Sequence, residues 1–427
     1  MALKKYFSSS NKNAPQITNS IGCLIPVLDY VLCNGSTPEA VASIFEHDGF
    51  YTVATLLANG YQAHQTINFT GVINGEYIIR EIIDGQRFKI KKKIEDPVLS
   101  GVVTNTTCKL NALGFNKAFG GTNKAVYQSS DLSETCRPYL RVDDGSVDGY
   151  PNSWLKAAMI GMLEECNGID DFNSGYGHQP LGLSYQENWQ AHNIGNSLSK
   201  GCLRWMYSSS TSDNNWWVES FGGASGGSPW FIVGDSKSFV LLIQKSYRIQ
   251  SYWMPYAFGV LEDSTEDIYK GFVVGCTGRP NQNNQSSWVS NILTNINHQW
   301  NSAGAQGSAF IMRPFSGAQQ TGSSPLSFYV PTKQAFSSGS SNLTPSNSGN
   351  FLTLKNLAYD SGGFLRGVLP CIESLGSTYQ TQTHGALGSV NKYHQSSEKF
   401  TVGIPFECPE TYAIGRVGFV NLGEYDD

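Results

Sequence analysis

Residues 66–93 read Thr66-Ile-Asn-Phe-Thr70, Gly71-Val-Ile-Asn-Gly75, Glu76-Tyr-Ile-Ile-Arg-Glu-Ile-Ile83, Asp84-Gly85, Gln86-Arg-Phe-Lys-Ile-Lys-Lys-Lys93. Asn74-Gly75 and Asp84-Gly85 each stand between β-rich runs. Both dipeptides accept the positive φ of tight primed turns, whose twist matches that of paired strands. The spacing predicts a three-strand meander over Thr66–Thr70, Glu76–Ile83 and Gln86–Lys93. Phe88 and Ile90 alternate with Lys89 and Lys91, so one face is apolar and the other charged. The unit carries no catalytic furniture and is of the kind used to build surfaces.

The same character extends outward. The chain has 427 residues, 40% hydrophobic and 12% aromatic, enough to fill a sizeable core. Its net charge of −5, with 15% charged residues, argues against an electrostatic nucleic-acid binder. Its 45 glycines suit many strands joined by turns. No apolar run reaches membrane-spanning length, and no apolar stretch follows Lys4-Lys5, so neither a membrane segment nor a signal peptide is expected. Synthesis in a cytoplasm is expected. Nine cysteines at irregular spacing, with no Cys-x-x-Cys, read as free buried thiols; bridges formed after release are the other reading.

The expected fold class is mainly β and multi-module. Residues 1–36 form an N-terminal arm and a short docking helix, 37–103 a small β-module, and 104–427 a large β-sandwich-like body with one inserted helix and a subdivision near 200. In the arm, Leu24, Val27, Leu28, Val31 and Leu32 share one helical face, Pro26 fits a first turn and Gly35 closes the helix. The inserted helix is read at Trp154–Cys166, from Leu155, Ala158, Met159, Met162 and Leu163, with Ser153 as N-cap. Further strands are expected at 50–57, around Phe115, Phe119, 125–127 and 139–142, and at 216–220, 230–233, 239–244, 271–275, 309–313, 326–331, 364–368 and 417–422. Residues 281–287 and 337–350 are Asn/Gln/Ser- and Ser/Asn/Gly-rich loops.

Several motifs at the scale of a few residues resemble one known family. Lys5-Tyr6-Phe7-Ser8-Ser9, Ala14-Pro15, Gly22-Cys-Leu-Ile25 and Leu28-Asp29 resemble the opening of a family of virion structural proteins from tailed bacteriophages. Residues 59–90, with Asn74-Gly-Glu-Tyr77 at their centre, are similar to a β-unit of phage structural proteins. Phe119–Ser129, Tyr139–Asp144, Pro229–Asp235 and Leu365–Pro370 resemble four further segments of the family, in the same order. The resemblance implies a virion component with no catalytic residues and no cofactor. The chain departs from the family in its cysteine count and its Asn/Gln-rich insertions.

Possible chemistry is weaker at every position. Gly223-Ala-Ser225-Gly-Gly227 imitates a nucleophile turn without a matching His loop. Val233-Gly-Asp-Ser236 imitates an esterase block without a late Asp-x-x-His and reads as a hairpin turn. Asp143, Asp144 and Asp148 read as a solvated acidic turn, and Glu164, Glu165, Asp170 and Asp171 as water-facing carboxylates. Seven scattered histidines lack His-x-His or His-x-x-x-His spacing, which leaves little support for a metal site. Lys89, Lys91, Lys92 and Lys93 read as the wet face of a strand.

The expected function is a bacteriophage virion structural protein, tail- or neck-associated, working by assembly with other virion proteins and as a homo-oligomer, with no nucleic acid or membrane partner. Head decoration, or an external fibre protein gripping a host-surface glycan, is the alternative, and a serine hydrolase using Ser225 or Ser236 comes last. Tyr6, Phe7, Ile21, Leu24, Leu28 and Leu32 are the expected assembly contacts. Trp205, Trp216, Trp217 and Trp253 read first as core packing, with an exposed subset forming a sugar-stacking or protein-docking surface as the other reading.

Overall fold

The computed structural model describes residues 4–145, 156–170, 177–178, 203–209, 226–245, 253–263, 268–275, 278–280, 286–288, 309–313, 315, 317, 324–325, 327–329, 353–360, 363–375, 388–394, 399–408 and 416–426. The protein is mainly β, as its composition requires. Strand β1 (Lys5–Ser8) precedes a helix, α1 (Leu24–Leu28), which widens into a π turn over Asp29–Asn34. Then come β2 (Glu39–His47), β3 (Phe50–Thr55), β4 (Thr66–Thr70), β5 (Gly75–Ile82), β6 (Arg87–Lys91), β7 (Ser100–Val102) and β8 (Thr107–Leu110). Their row runs β3-β6-β5-β4-β8-β2-β7, and the extra pairing of β2 with β3 closes it into a small antiparallel barrel with β7 on its flank.

The meander is present at the expected places, and β8 extends its sheet past residue 103. Tyr51, Val53, Ile67, Phe69, Tyr77, Ile79, Phe88, Ile90, Cys108 and Leu110 fill the barrel at every second position. Edge-to-face contacts of Phe69 with Tyr77 (5.4 Å) and of Tyr61 with Phe88 (5.7 Å) lock the filling. The turns differ from expectation. Only Gly75 of the four turn residues has a positive φ, +94°. The Asp84-Gly85 hairpin is held by a side chain: Asp84 Oδ1 accepts the amides of Gln86 (2.9 Å) and Arg87 (2.8 Å).

The body is layered. Strands β9 (Phe115–Gly121), β10 (Lys124–Ser129), β11 (Tyr139–Asp143), β12 (Ala157–Leu163), β13 (Gly177–His178) and β14 (Leu203–Met206) form one sheet. Strands β15 (Trp230–Gly234), β16 (Ser238–Gln244), β17 (Trp253–Val260) and β18 (Gly271–Val274) form a second, with β1 on one edge and β21 (Ala309–Ile311) and β22 (Ser324–Pro325) on the other. A ribbon of β19 (Gly278–Pro280) and β20 (Ser286–Trp288) lies apart from that order. Strands β23 (Ser327–Tyr329), β24 (Thr353–Tyr359), β25 (Leu365–Leu375), β26 (Asn391–His394), β27 (Lys399–Cys408) and β28 (Arg416–Asp426) form a third sheet.

The second sheet is the middle layer. Phe239, Leu241 and Ile243 of β16 join a core with the first sheet, the barrel and α1. Val240 and Leu242 join a separate core with the third sheet. The near-continuous apolar run Phe239–Ile243 is what a strand covered on both faces requires.

One expected element is different. Residues 157–163 form β12, not a helix. In Ala157-Ala-Met-Ile-Gly-Met-Leu163 almost every side chain is apolar, so a helical stripe and a strand buried on both faces fit equally well. The strand wins because β11 and β14 pair with its two edges and apolar clusters cover both faces. Gly161 also weakens a helix there. Residues 153–155 lie outside the described residues.

Gly35 ends the π turn at φ +72°, donating its amide to Tyr30 O (2.7 Å). A Cβ at this position would lie 2.2 Å from Leu110 O of β8. Gly35→Ala is therefore expected to destabilise the protein by more than about 1 kcal/mol, read as a lower urea midpoint at unchanged slope.

Candidate assembly interface

The expected assembly contacts come first. β1 pairs antiparallel with β15, Lys5 opposite Gly234 and Ser8 opposite Phe231, so the arm is an edge strand of the chain's own middle sheet. Alternation sends Tyr6 into the core shared with the third sheet and Phe7 into the core shared with the barrel. Tyr6 Oη donates to Ala63 O (2.5 Å), and Lys4 Nζ reaches Glu262 (2.9 Å) and Asp235. Asn11 Nδ2 donates to Gly60 O (3.1 Å), and Trp230 Nε1 donates to Pro15 O (3.0 Å).

The helix is equally committed. Leu24, Leu28 and Leu32 are fully buried, and Ile21 is half-buried. Asp29 accepts from Tyr127 Oη (2.8 Å) and Lys117 Nζ (2.9 Å), tying the helix to β10 and β9. Apart from Ile21, the arm side chains expected to face a neighbour are thus spent on this chain's own cores. Apolar arm residues carry no label saying whose core they fill, which is why sequence reasoning assigned them outward.

The described tryptophans follow the core reading and not the surface one. Trp205 is fully buried, stacks on Tyr256 (5.8 Å between centroids, 23°) and donates Nε1 to Val274 O (2.8 Å). Trp253 is buried and tilted against Phe231 at 5.4 Å. Trp216 and Trp217 lie outside the described residues.

The residues weighed for chemistry hold structure. Ser236 sits in the β15–β16 turn, where Asp235 Oδ1 accepts the amides of Lys237 (2.8 Å) and Ser238 (3.1 Å), and Ser236 Oγ faces Asp131 (3.3 Å). Ser225 lies outside the described residues. Glu164 is not water-facing: it takes a two-pronged bond from Arg313, 2.7 Å from Nε and 2.5 Å from Nη2. Asp143 lies 3.5 Å from both Arg141 and Lys124, which also meet Asp170. Asp144 is buried, not solvated, while Asp148 and Asp171 lie outside the described residues. Lys89 pairs with Glu81 (2.7 Å) and Lys93 lies 4.2 Å over the Tyr77 ring, in keeping with a strand's wet face. Among the described residues, no three His, Cys, Asp or Glu gather as metal ligands.

Cys23, Cys33, Cys108 and Cys371 are free thiols. Burial pushes the thiols of Cys108 and Cys371 up to about 12, out of thiolate range at neutral pH. A polar pocket of about 10 Å³, lined by residues including Lys12, Tyr30, Glu39, Asn59 and Tyr61, has room for about one water and no larger ligand.

Two surfaces escaped the sequence reading. On the barrel flank, Phe45 stands opposite Ser100 in the β2–β7 register, and Ser43 opposite Val102. Val98 and Val102 share the outer side with Ser100, so Phe45 lies diagonally between them. Phe45, Val98 and Val102 are 50%, 77% and 85% exposed. β7 ends the sheet row, so its outer edge is unpaired among the described residues. The second surface is a stack of Phe315 on Phe364 (5.3 Å, 16°), both exposed, beside exposed Leu365. Buried Asp360 holds it, accepting the amides of Phe315 (2.9 Å) and Phe364 (3.1 Å) with the Arg366 guanidinium 3.7 Å away. The exposed member of an alternating pair looks like any other apolar residue in sequence; only register shows that several stand together.

No protein-family model matches the chain, and no curated protein is found similar to it.

Because Phe7 is fully enclosed in the shared core, Phe7→Ala is expected to cost about 3–5 kcal/mol, measured by urea unfolding. Alkylation of the native protein at pH 8 should leave Cys108 and Cys371 unlabelled and modify both after unfolding, as read by peptide mass mapping.

Proposed function

We propose that this chain is a structural component of a tailed-bacteriophage virion, tail- or neck-associated, that works through contacts with neighbouring subunits. One observation carries the reading: segments behind the family resemblance, far apart in sequence, are contact partners in the fold. Arm residues 5–8 pair with 231–234. Gly22 lies so close to Asn123 that a Cβ would fall 2.3 Å from Asn123 Oδ1. Leu24 donates its amide to Asp144 (2.9 Å).

With the arm and helix committed internally, the contact surface moves to the barrel flank at Phe45, Val98 and Val102 and the open edge of β7, a site suited to strand addition by a neighbour. Among the described residues, an external, glycan-gripping role finds support in the Phe315–Phe364 stack, since Trp205 and Trp253 are buried. Against hydrolysis through Ser236, its hydroxyl meets Asp131 in an ordinary turn and no histidine among the described residues.

Mass spectrometry of purified particles of a phage encoding this chain tests the reading. The chain is expected at a fixed stoichiometry, and its absence from intact particles would overturn the proposal. The double variant Val98→Asp, Val102→Asp is expected to leave the melting temperature nearly unchanged, as exposed substitutions do, while abolishing incorporation.

A further inference from the structure

Asp144, directly after β11, is buried to 1% exposure in a chain of three groups. Its Oδ2 accepts the Leu24 amide (2.9 Å), and the Gly22 amide also bonds to the carboxylate. Its Oδ1 lies 2.7 Å from Tyr207 Oη, which lies 3.1 Å from Ser20 O. Its own amide donates to Asn123 O (2.8 Å). This carboxyl therefore fastens the corner where the arm turns into α1.

The proton count in the chain decides its behaviour. Tyr207 has one hydroxyl proton and two acceptors within reach. When Asp144 is ionised, that proton goes to the carboxylate and Ser20 O loses it. When Asp144 is protonated, its O–H donates to Tyr207 Oη, and Tyr207 donates to Ser20 O. Both short contacts are then satisfied, with residues 20–24 held at both ends.

We propose that Asp144 is a proton-operated latch on the corner between arm and helix, closed when the carboxyl is protonated and loosened when it is ionised.

The surroundings favour the closed form near neutrality. Burial pushes the Asp144 carboxyl up to about 7 against the hydrogen bonds that stabilise its charge, and Asp143 beside it adds to the rise. Among the described residues, the other titratable groups facing it are Tyr207, directly after β14, and Cys23 from the arm, neither a cation. The nearby cations Lys124 and Arg141 are engaged by Asp143 and Asp170. With the folded value above the ordinary 3.8, the folded state holds the proton where the unfolded state has lost it. The contribution to stability is therefore full below about 4, declines as pH rises to about 7, and is flat above.

The test is hydrogen exchange of the full chain, followed by mass spectrometry on a peptide spanning residues 18–26 and corrected for intrinsic exchange. Protection is expected to fall at least tenfold from pH 5 to pH 8. Asp144→Asn imitates the protonated carboxyl, donating through Nδ2 to Tyr207, and is expected to keep the pH 5 protection at both pH values. Tyr207→Phe breaks the relay and is expected to lower protection at pH 5. Wild-type protection that does not change between pH 5 and pH 8 would overturn the latch, whether or not either variant folds. Equal pH dependence in wild type and Asp144→Asn would also overturn it, by placing the titrating group elsewhere.

Discussion

The constraint on which the rest of the structure depends is that the middle sheet is covered on both faces. Every residue of β16, β17 and β18 is buried. A strand of that kind cannot shed one face into water without exposing several large side chains, each contributing about 1.5–3 kcal/mol by burial. The first sheet, barrel and helix must therefore lie on one side and the third sheet on the other. The two cores divide the side chains of β16 by parity.

The arm follows from the same requirement. The middle sheet leaves β15 with an edge, and β1 occupies it. A four-residue strand with Tyr6 and Phe7 side by side is suited to the place, since consecutive residues of a strand point to opposite faces. The arm thereby stitches all three layers, while Lys4 meets carboxylates beyond both β15 and β17. The arm's apolar side chains are turned inward, while the barrel flank and the Phe315–Phe364 stack keep apolar area outside.

Much of the fold was legible in sequence. The meander, the helix near residues 24–34 and the strands β15, β16 and β18 follow from turn dipeptides, helical spacing and short apolar runs. What was not legible has definable causes. β12 fails because a wholly apolar stretch has no period to read. β2 and β17 lack a clean alternation: a bulge between Val41 and Ser43 breaks the first, and burial on both faces hides the second. The three-layer order is invisible because sheet neighbours such as β1 and β15 lie more than two hundred residues apart.

The sequence by itself determined the local chemistry: a mainly β chain, a hairpin meander and a short amphipathic helix. Those properties depend on residues within a turn or a strand of one another. Only the tertiary structure decided which apolar residues are spent inside and which remain outside, because burial depends on partners brought from distant parts of the chain. It moved Tyr6, Leu24 and Trp205 inward, left Phe45, Val98 and Val102 on the surface, and made Asp144 a buried carboxyl by folding residues 20–24 and Tyr207 over it.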